Sequence, residues 1–481
     1  MISLSKKETV LRPDHRRVLL RPENPSEERR QRIIARVSGL SQDETGRTLD
    51  DLKERYAGRH PGFENALLAR YDQVEHLRIS DRELSPEQKL LVGAYLLREF
   101  SFESTALFNP SIVPFPGASE NDEVLRFVMS LRAVGEGHVS SIEFRTGGVN
   151  KKGEVMVDPA GTFAAMAFPD FDSKYNKELF GRKLYETGYE NDFSRQALKN
   201  LGQTFTLNDL NNGITSVRRR VKLSAEADFT IRAILLLAQS NYEAVFPDEI
   251  PLASRVIFPH SPTEANGIED ARFTAFREDD GEMRYYAPYA AYDGKIVLPQ
   301  LMQTPDFRRF QFITLNGPAA RNKGMALFPR RLNGLYAMLG RQDDENISLM
   351  YSEHLHFWYE SRIIIKPAFP WEFNKIGNCG SPIETEAGWL VLTHGVGSLR
   401  SYYIGAALLD RNDPAKVLGR LREPLIIPSA DERDGYVPNV VYTCGALRHG
   451  DFLVIPYGVA DTITSFVTVR LADLLASLRR A

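Results

Sequence analysis

The stretch "GWLVLTHGV", Gly388–Val396, decides the fold. A turn glycine opens it, an alternating apolar strand follows, and a polar residue, His394, stands near its exit. The same plan returns in "GEMRYYAPYA" (Gly281–Ala290), "GLYAMLGRQ" (Gly334–Gln342) and "GDFLVIPYGV" (Gly450–Val459), with glycine spacings of 53, 54 and 62 residues. Each copy follows a second apolar strand: "ARFTAF", "GMALFPRRL", "CGSPIETE" and "NVVYTCGAL". "VLRFVMSLRA" from Val124, with "ALFNPSIVPF" before it, reads as a fifth, earlier copy without the glycine. Five units of about 50–60 residues, each supplying several strands, predict a mainly β chain built as a five-bladed β-propeller. A sandwich or two stacked β domains are the alternatives, but a sandwich has no reason to repeat this pattern at this period.

Outside the repeat the texture is helical. "SEERRQRIIARVSGL" opens with Ser26 as an N-cap, and in "SPEQKLLVGAYLLREF" Ser85 caps, Pro86 sits at N1 and Gln88 closes a capping box. The expected organisation is an N-terminal helical arm over residues 1–104, then a propeller over 105–481. A helical insertion at about 191–241 includes "LSAEADFTIRAILLLAQSNY", with Ser224 as cap. "LADLLASLRR" reads as a final short helix. Basic residues crowd positions 12–35 and suit a solvated or oligomer-contacting arm better than a nucleic-acid surface.

Bulk composition removes several function classes. The 481 residues carry 60 basic and 63 acidic side chains, a net charge of −3, which advertises neither nucleic acid nor an anionic membrane as partner. Two cysteines, Cys379 and Cys444, exclude a disulfide framework and a cysteine-rich metal site. The N-terminal stretch has no apolar run of secretory type, and Ile234–Ala238 is too short to span a bilayer. The expectation is a cytoplasmic protein that needs no metal or cofactor.

In a propeller, equivalent strand exits converge on a central channel. Those exits carry Arg132, Tyr289, Arg341, His394 and Tyr457, with Lys323 just before the strand "GMALF". A ring of Arg, Lys and His suits an anion, because the guanidinium fork matches phosphate oxygens. The competing reading is that these residues form structural salt bridges within the blades. "HSPTEANGIEDARFTAF" (His260–Phe276) sets Glu269, Asp270 and Arg272 within four residues. Such a cluster is either a solvated turn or a site, since perturbed carboxylates gather where chemistry is done.

Six stretches, in order, carry a resemblance: "NGIEDARF", "NKGMALFPRRLNGLYAMLGR", "KIGNCGSPIETEAGWLVLTHGV", "YYIGAALLDRNDPAKVLGRLREPLIIP", "GYVPNVVYTCGAL" and "IPYGVADT". From about Asn109 to Val467, the helical insertion aside, the chain resembles glycoside hydrolase family 130, the β-mannoside phosphorylases and β-mannosidases. The resemblance implies a five-bladed propeller and a glycosyltransferase-type phosphorylase. Inorganic phosphate would be co-substrate, giving α-mannose 1-phosphate with inversion. It places Asp270 as the acid, delivering its proton to the glycosidic oxygen through a hydroxyl of the bound mannosyl unit. Arg132, Lys323, Arg341 and His394 match the family's phosphate clamp, with Tyr457 adding a hydroxyl. Asp461 matches a residue that holds mannosyl hydroxyls. Asn109, Ser111, Glu269, Arg272 and Tyr289 are further candidates for substrate contact, whereas Trp358 and Trp371 suit core packing.

The chemistry is consistent with that reading. Inverting transfer needs one acid at the leaving oxygen and room for a nucleophile across the ring. Phosphate is already an anion, so it needs cations to hold it rather than a protein base. The family's hydrolytic branch has acids at part of the clamp, and this chain has none there. Two positions depart from the pattern: Ala271 stands where the family has Pro, and Gly340 where His is expected. An oligomer is expected, with oligosaccharide and phosphate as ligands. The rival readings are a β-mannoside hydrolase and a non-catalytic sugar-binding propeller.

Overall fold

The computed structural model describes residues 2–79, 81–119, 121–170, 173–220 and 224–478. The chain is mainly β. Its repeated copies fold as antiparallel meanders in which hairpin neighbours pair in sequence order. The first holds Ala106–Pro114, Val124–Val134 and Ser140–Asn150. The second holds Gly267–Glu269, Met283–Tyr292, Val297–Thr304 and Arg309–Thr314, and it joins the first through a parallel Gly267–Ser140 pairing. Ala326–Leu327, Tyr336–Gly340, Ile347–Ser352 and Arg362–Ile365 form the third. Lys375–Asn378, Gly388–Val396, Tyr402–Leu409 and Val417–Arg420 form the fourth. The fifth comprises Val441–Tyr442, Phe452–Val459 and Ile463–Arg470, completed by Leu4–Lys6 from the other end of the chain.

The strand Gly388–Val396 is buried along its whole length. Apolar side chains cover both its faces, which is why it reads as a near-continuous hydrophobic run rather than a strict alternation. The cores lie between meanders: Phe328, Leu339, Ile365, Trp389 and Val391 pack the third against the fourth. Leu392, Ile404, Ile455 and Val467 pack the fourth against the fifth.

In four of the five meanders the strand preceding the long strand is broken in the middle. In the second meander, Gly267–Glu269 and Thr274–Arg277 both pair with Met283–Tyr292, leaving residues 270–273 unpaired. The fourth repeats this at 379–382 and the fifth at 443–446. The first shows it as a register shift between Phe108 and Ser111. Freed backbone groups must find partners, and they find them in neighbouring meanders. The Cys444 N–H donates to Pro110 O at 2.8 Å, and the Phe273 N–H to Ser111 Oγ at 2.9 Å. Arg272 Nε donates to Cys379 O at 2.8 Å and Asn378 Nδ2 to Gly324 O at 2.8 Å. The fifth meander also abuts the first, with the Leu107 N–H donating to Thr462 O at 2.9 Å.

A second repeat precedes three of the meanders. Glu264, Glu372 and Glu432 each end a single 3-10 turn and are buried there. Each accepts backbone N–H groups from its own turn and at least one side chain from its meander. Tyr289 Oη donates to Glu264 at 2.6 Å, Arg420 Nη2 to Glu372 at 2.7 Å and Tyr457 Oη to Glu432 at 2.7 Å.

The helices start where their caps direct. Ser26, Ser85 and Ser224 each accept the backbone N–H three residues on, and Ser85 forms a capping box with Gln88. The second helical group opens earlier than residue 191, with Lys177–Glu186, and builds its own core from Phe180, Leu184, Leu210, Ile214 and Ile234. Leu471–Leu478 is the final helix. Among the described residues, no helix is long and apolar enough to cross a membrane.

The N-terminal segment is tied to the first meander by a buried charge cluster. Arg17 donates to Glu143 and, at 3.1 Å, to Glu103, while Arg145 Nη1 lies 2.6 Å from Glu143. Burial, and then the charge of Glu143, push the Glu103 carboxyl up to about 9. A proton held more tightly in the folded chain than in the unfolded one lowers stability as pH rises between the two pKa values, here about 4.5 and 9. Glu103→Gln should therefore flatten the decline in urea-unfolding free energy between about pH 6 and pH 9. Parallel declines in variant and wild type would remove Glu103 from that role.

Candidate active site

Asp270 sits in the break of the second meander, at φ 53°, and Asn109 in that of the first, at φ 48°. Asp461 follows the long strand of the fifth, at φ 49°. Left-handed backbone costs non-glycine residues energy, and short polar side chains tolerate it best. Three such residues together mark a place where geometry is held against strain. Asn109 Nδ2 donates to Asp270 Oδ1 at 2.7 Å, fixing the carboxylate.

Cations surround this acid. Arg132 Nη1 lies 3.5 Å from Asp270 Oδ1, and Arg272 Nη2 lies 3.9 Å from Oδ2. Arg272, only 2% exposed, also donates from Nη1 to the Asp270 carbonyl at 3.0 Å and from Nη2 to Tyr442 Oη at 2.7 Å. Glu269 has both oxygens engaged, one by Arg132 at 2.7 Å and the other by Lys323 at 2.6 Å. Arg341 Nη1 approaches His394 Nε2 at 2.8 Å, and Arg341 Nη2 lies 3.2 Å from Asp344. The Tyr442 ring stands edge-on to His394 with centroids 4.9 Å apart, so a chain of contacts runs from Asp270 through Arg272, Tyr442 and His394 to Arg341. Gly377 makes the Arg341–His394 approach possible: a Cβ there would lie 2.3 Å from His394 Cε1 and 3.2 Å from Arg341 Nη1.

The charges set the protonation states. Burial raises the Asp270 carboxyl, but Arg132, Arg272, Lys323 and the Asn109 hydrogen bond outweigh it and hold it below the ordinary carboxylate range. Asp461 goes the other way, pushed up to about 6 by burial and by the charge of Asp270. Burial, then Arg341 and Arg272, drive His394 well below its usual value, so the ring is neutral. An arginine can only donate, so His394 Nε2 accepts and Nδ1 carries the proton.

Of the residues singled out from sequence, Arg132, Lys323, Glu269, Asn109, Arg272, Arg341 and His394 join this network, and Asp461 interacts electrostatically with Asp270 and Arg132. Tyr289 and Tyr457 do not, because their hydroxyls donate to Glu264 and Glu432. Ser111 is a backbone support rather than an open hydroxyl, since its Oγ accepts from Phe273. Trp358 is fully buried, and its Nε1 donates to Leu355 O. Trp371 is also buried, with Nε1 donating to Arg422 O. Sequence reasoning missed Tyr442, although it lies within "GYVPNVVYTCGAL", and also Asp344, which Arg341 and Lys375 share. A cleft of about 830 Å³ beside the helical insertion contains none of the predicted site residues.

Asp270, with Glu269 and Asp461 beside it, thus lies among the charges of Arg132, Arg272 and Lys323. The family model described as beta-1,4-mannooligosaccharide phosphorylase matches residues 249–480. The beta-1,2-mannobiose phosphorylase of Listeria innocua serovar 6a is 32% identical over 57% of this chain and 78% of its own length. The 1,2-beta-oligomannan phosphorylase of Thermoanaerobacter sp. is 35% identical over 44% of this chain and 71% of its own length. Among solved structures, the Listeria innocua beta-1,2-mannobiose phosphorylase aligns at a TM-score of 0.47 and 23% identity, over 78% of this chain and 93% of that one. The chain belongs to glycoside hydrolase family 130.

Proposed function

We propose that this protein is an inverting phosphorylase of β-linked mannosides. It transfers a mannosyl unit to inorganic phosphate, giving α-mannose 1-phosphate and a shortened sugar. The carrying observation is the set of cations around Asp270: Arg132 and Arg272 lie against its carboxylate, Lys323 pairs with the adjacent Glu269, and Arg341 joins them through His394 and Tyr442. Relatives named as phosphorylases of β-1,2- and β-1,4-mannosides support the same reading.

Asp270 supplies the proton, relayed through a mannosyl hydroxyl to the departing oxygen. Asn109 and Arg272 hold its carboxyl, and Asp461 takes sugar hydroxyls. Phosphate displaces Glu269 from Lys323 and pairs with Arg341, which neutral His394 orients. Bringing a dianion among these cations offsets the charges that hold Asp270 ionised, so the acid gains its proton as the nucleophile arrives. Hydrogen bonds between the broken strands of different meanders, which meet around this site, support their arrangement as a closed five-bladed propeller. The helical segments at either side of the first meander are an N-terminal arm and an insertion, and we assign the enzyme to the cytoplasm as an oligomer.

Incubation with β-1,2-mannobiose, with and without phosphate, tests the reading. Mannose 1-phosphate should form only with phosphate, and equal release of free mannose under both conditions would establish a hydrolase instead. Arg341→Gln should raise the phosphate KM about 10- to 100-fold, the loss of one charged hydrogen bond. A phosphate KM within twofold of wild type would remove Arg341 from the clamp.

A further inference from the structure

Two hairpin tips stand at the acid's end of their meanders. Arg132 precedes Gly135 by three residues, and His394 precedes Gly397 by three. Both tips have the same turn. The Gly135 N–H donates to Val139 O at 3.1 Å, and the Gly397 N–H to Ser401 O at 2.9 Å. Two consecutive residues in each are left-handed: Gly137 and His138 at φ 64° and 58°, Leu399 and Arg400 at φ 52° and 57°.

The first of these positions is glycine in one tip and leucine in the other. The turn therefore does not require leucine, and a bulky side chain there carries a strain that glycine avoids. Leu399 is 95% exposed, so packing offsets none of that strain. Arg400 beside it forms no ion pair or hydrogen bond among the described residues. Its guanidinium lies 5.8 Å from the Tyr402 ring centre, and Tyr402 stacks on His394 at 6.0 Å. The charge of Arg400 also reaches the Asp461 carboxyl.

The other tip borders the same aspartate. His138 stacks on Tyr436 with centroids 5.8 Å apart, and the Tyr436 N–H donates at 3.0 Å to Thr462 Oγ1, one residue past Asp461. Tyr436 is 58% exposed. The rim thus offers a leucine, an aromatic pair and an uncommitted guanidinium. A pyranose has matching parts: C–H faces that pack on apolar and aromatic surface, and hydroxyls that accept from cations.

Resting on the phosphorylase reading, we propose that Leu399, Arg400, His138 and Tyr436 seat the sugar on the leaving side of the bond and set which acceptor the enzyme uses. Asp270, Asn109 and Asp461 lie deeper and take the transferred unit.

The test is the reverse reaction, with mannose 1-phosphate and mannose, glucose or β-1,2-mannobiose as acceptor, followed by phosphate release. Leu399→Gly suits the turn, so the fold is retained. Leu399→Gly and Tyr436→Ala should each raise the KM of the best acceptor about 3- to 10-fold, with the mannose 1-phosphate KM unchanged. Tyr436→Phe should retain the wild-type value. Unchanged acceptor KM in both variants overturns the proposal. So does a Leu399→Gly variant that alters only solution mass, which makes the tip a contact between copies. A wild-type protein inert with every acceptor would instead sink the phosphorylase reading beneath it.

Discussion

Asp270→Asn should lower kcat for phosphorolysis by about 10²- to 10⁴-fold, the range that general-acid catalysis contributes. Asparagine is the informative replacement. It tolerates the left-handed backbone at this position, and its amide oxygen can still accept from Asn109 Nδ2. The variant keeps the shape of the site and lacks only the transferable proton. Its circular dichroism spectrum should match that of wild type, and the KM for mannobiose should change by less than about threefold. A kcat within a factor of two of wild type would remove Asp270 from the acid role. Retained sugar binding with no turnover would separate catalysis from a purely sugar-binding role.

The largest stability effect is expected at Arg17. Its guanidinium is buried against Glu103 and Glu143, and it also donates to Ala253 O at 3.1 Å. Arg17→Ala removes the guanidinium that Glu103 and Glu143 share and leaves both carboxyl groups to Arg145 alone. Removing one partner of a buried ion pair costs about 3–5 kcal/mol. Urea unfolding should show a loss of that order. A loss below about 1 kcal/mol would show that the N-terminal segment is held by other contacts.

The repeat was legible because four of the five copies show a turn glycine and an apolar strand within a few residues. Helix caps at Ser26, Ser85 and Ser224 were legible for the same reason: the donor and acceptor are three residues apart. The acid pair was visible as a local cluster, but its meaning lay elsewhere in the chain. Glu269 is held by residues 137 and 54 positions away. Tyr289 and Tyr457 occupy exits equivalent to Arg132 and His394, so register alone could not tell them apart. Their hydroxyls are taken by Glu264 and Glu432, whose one-turn caps are too short to register as helices. The pairing of Leu4–Lys6 with Ile463–Arg470 joins opposite ends of the sequence, and no local pattern announces it.

That last pairing has a consequence for biosynthesis. Leu4 leaves the ribosome long before Val469, its partner across the ladder. At about 5–20 residues per second, the wait is on the order of half a minute to a minute and a half. For that interval Leu4–Lys6 is an unclaimed sheet edge, and Lys6 has not yet met Glu432. The final meander therefore closes only after Val469 has emerged, and chaperone dependence should concentrate on that step.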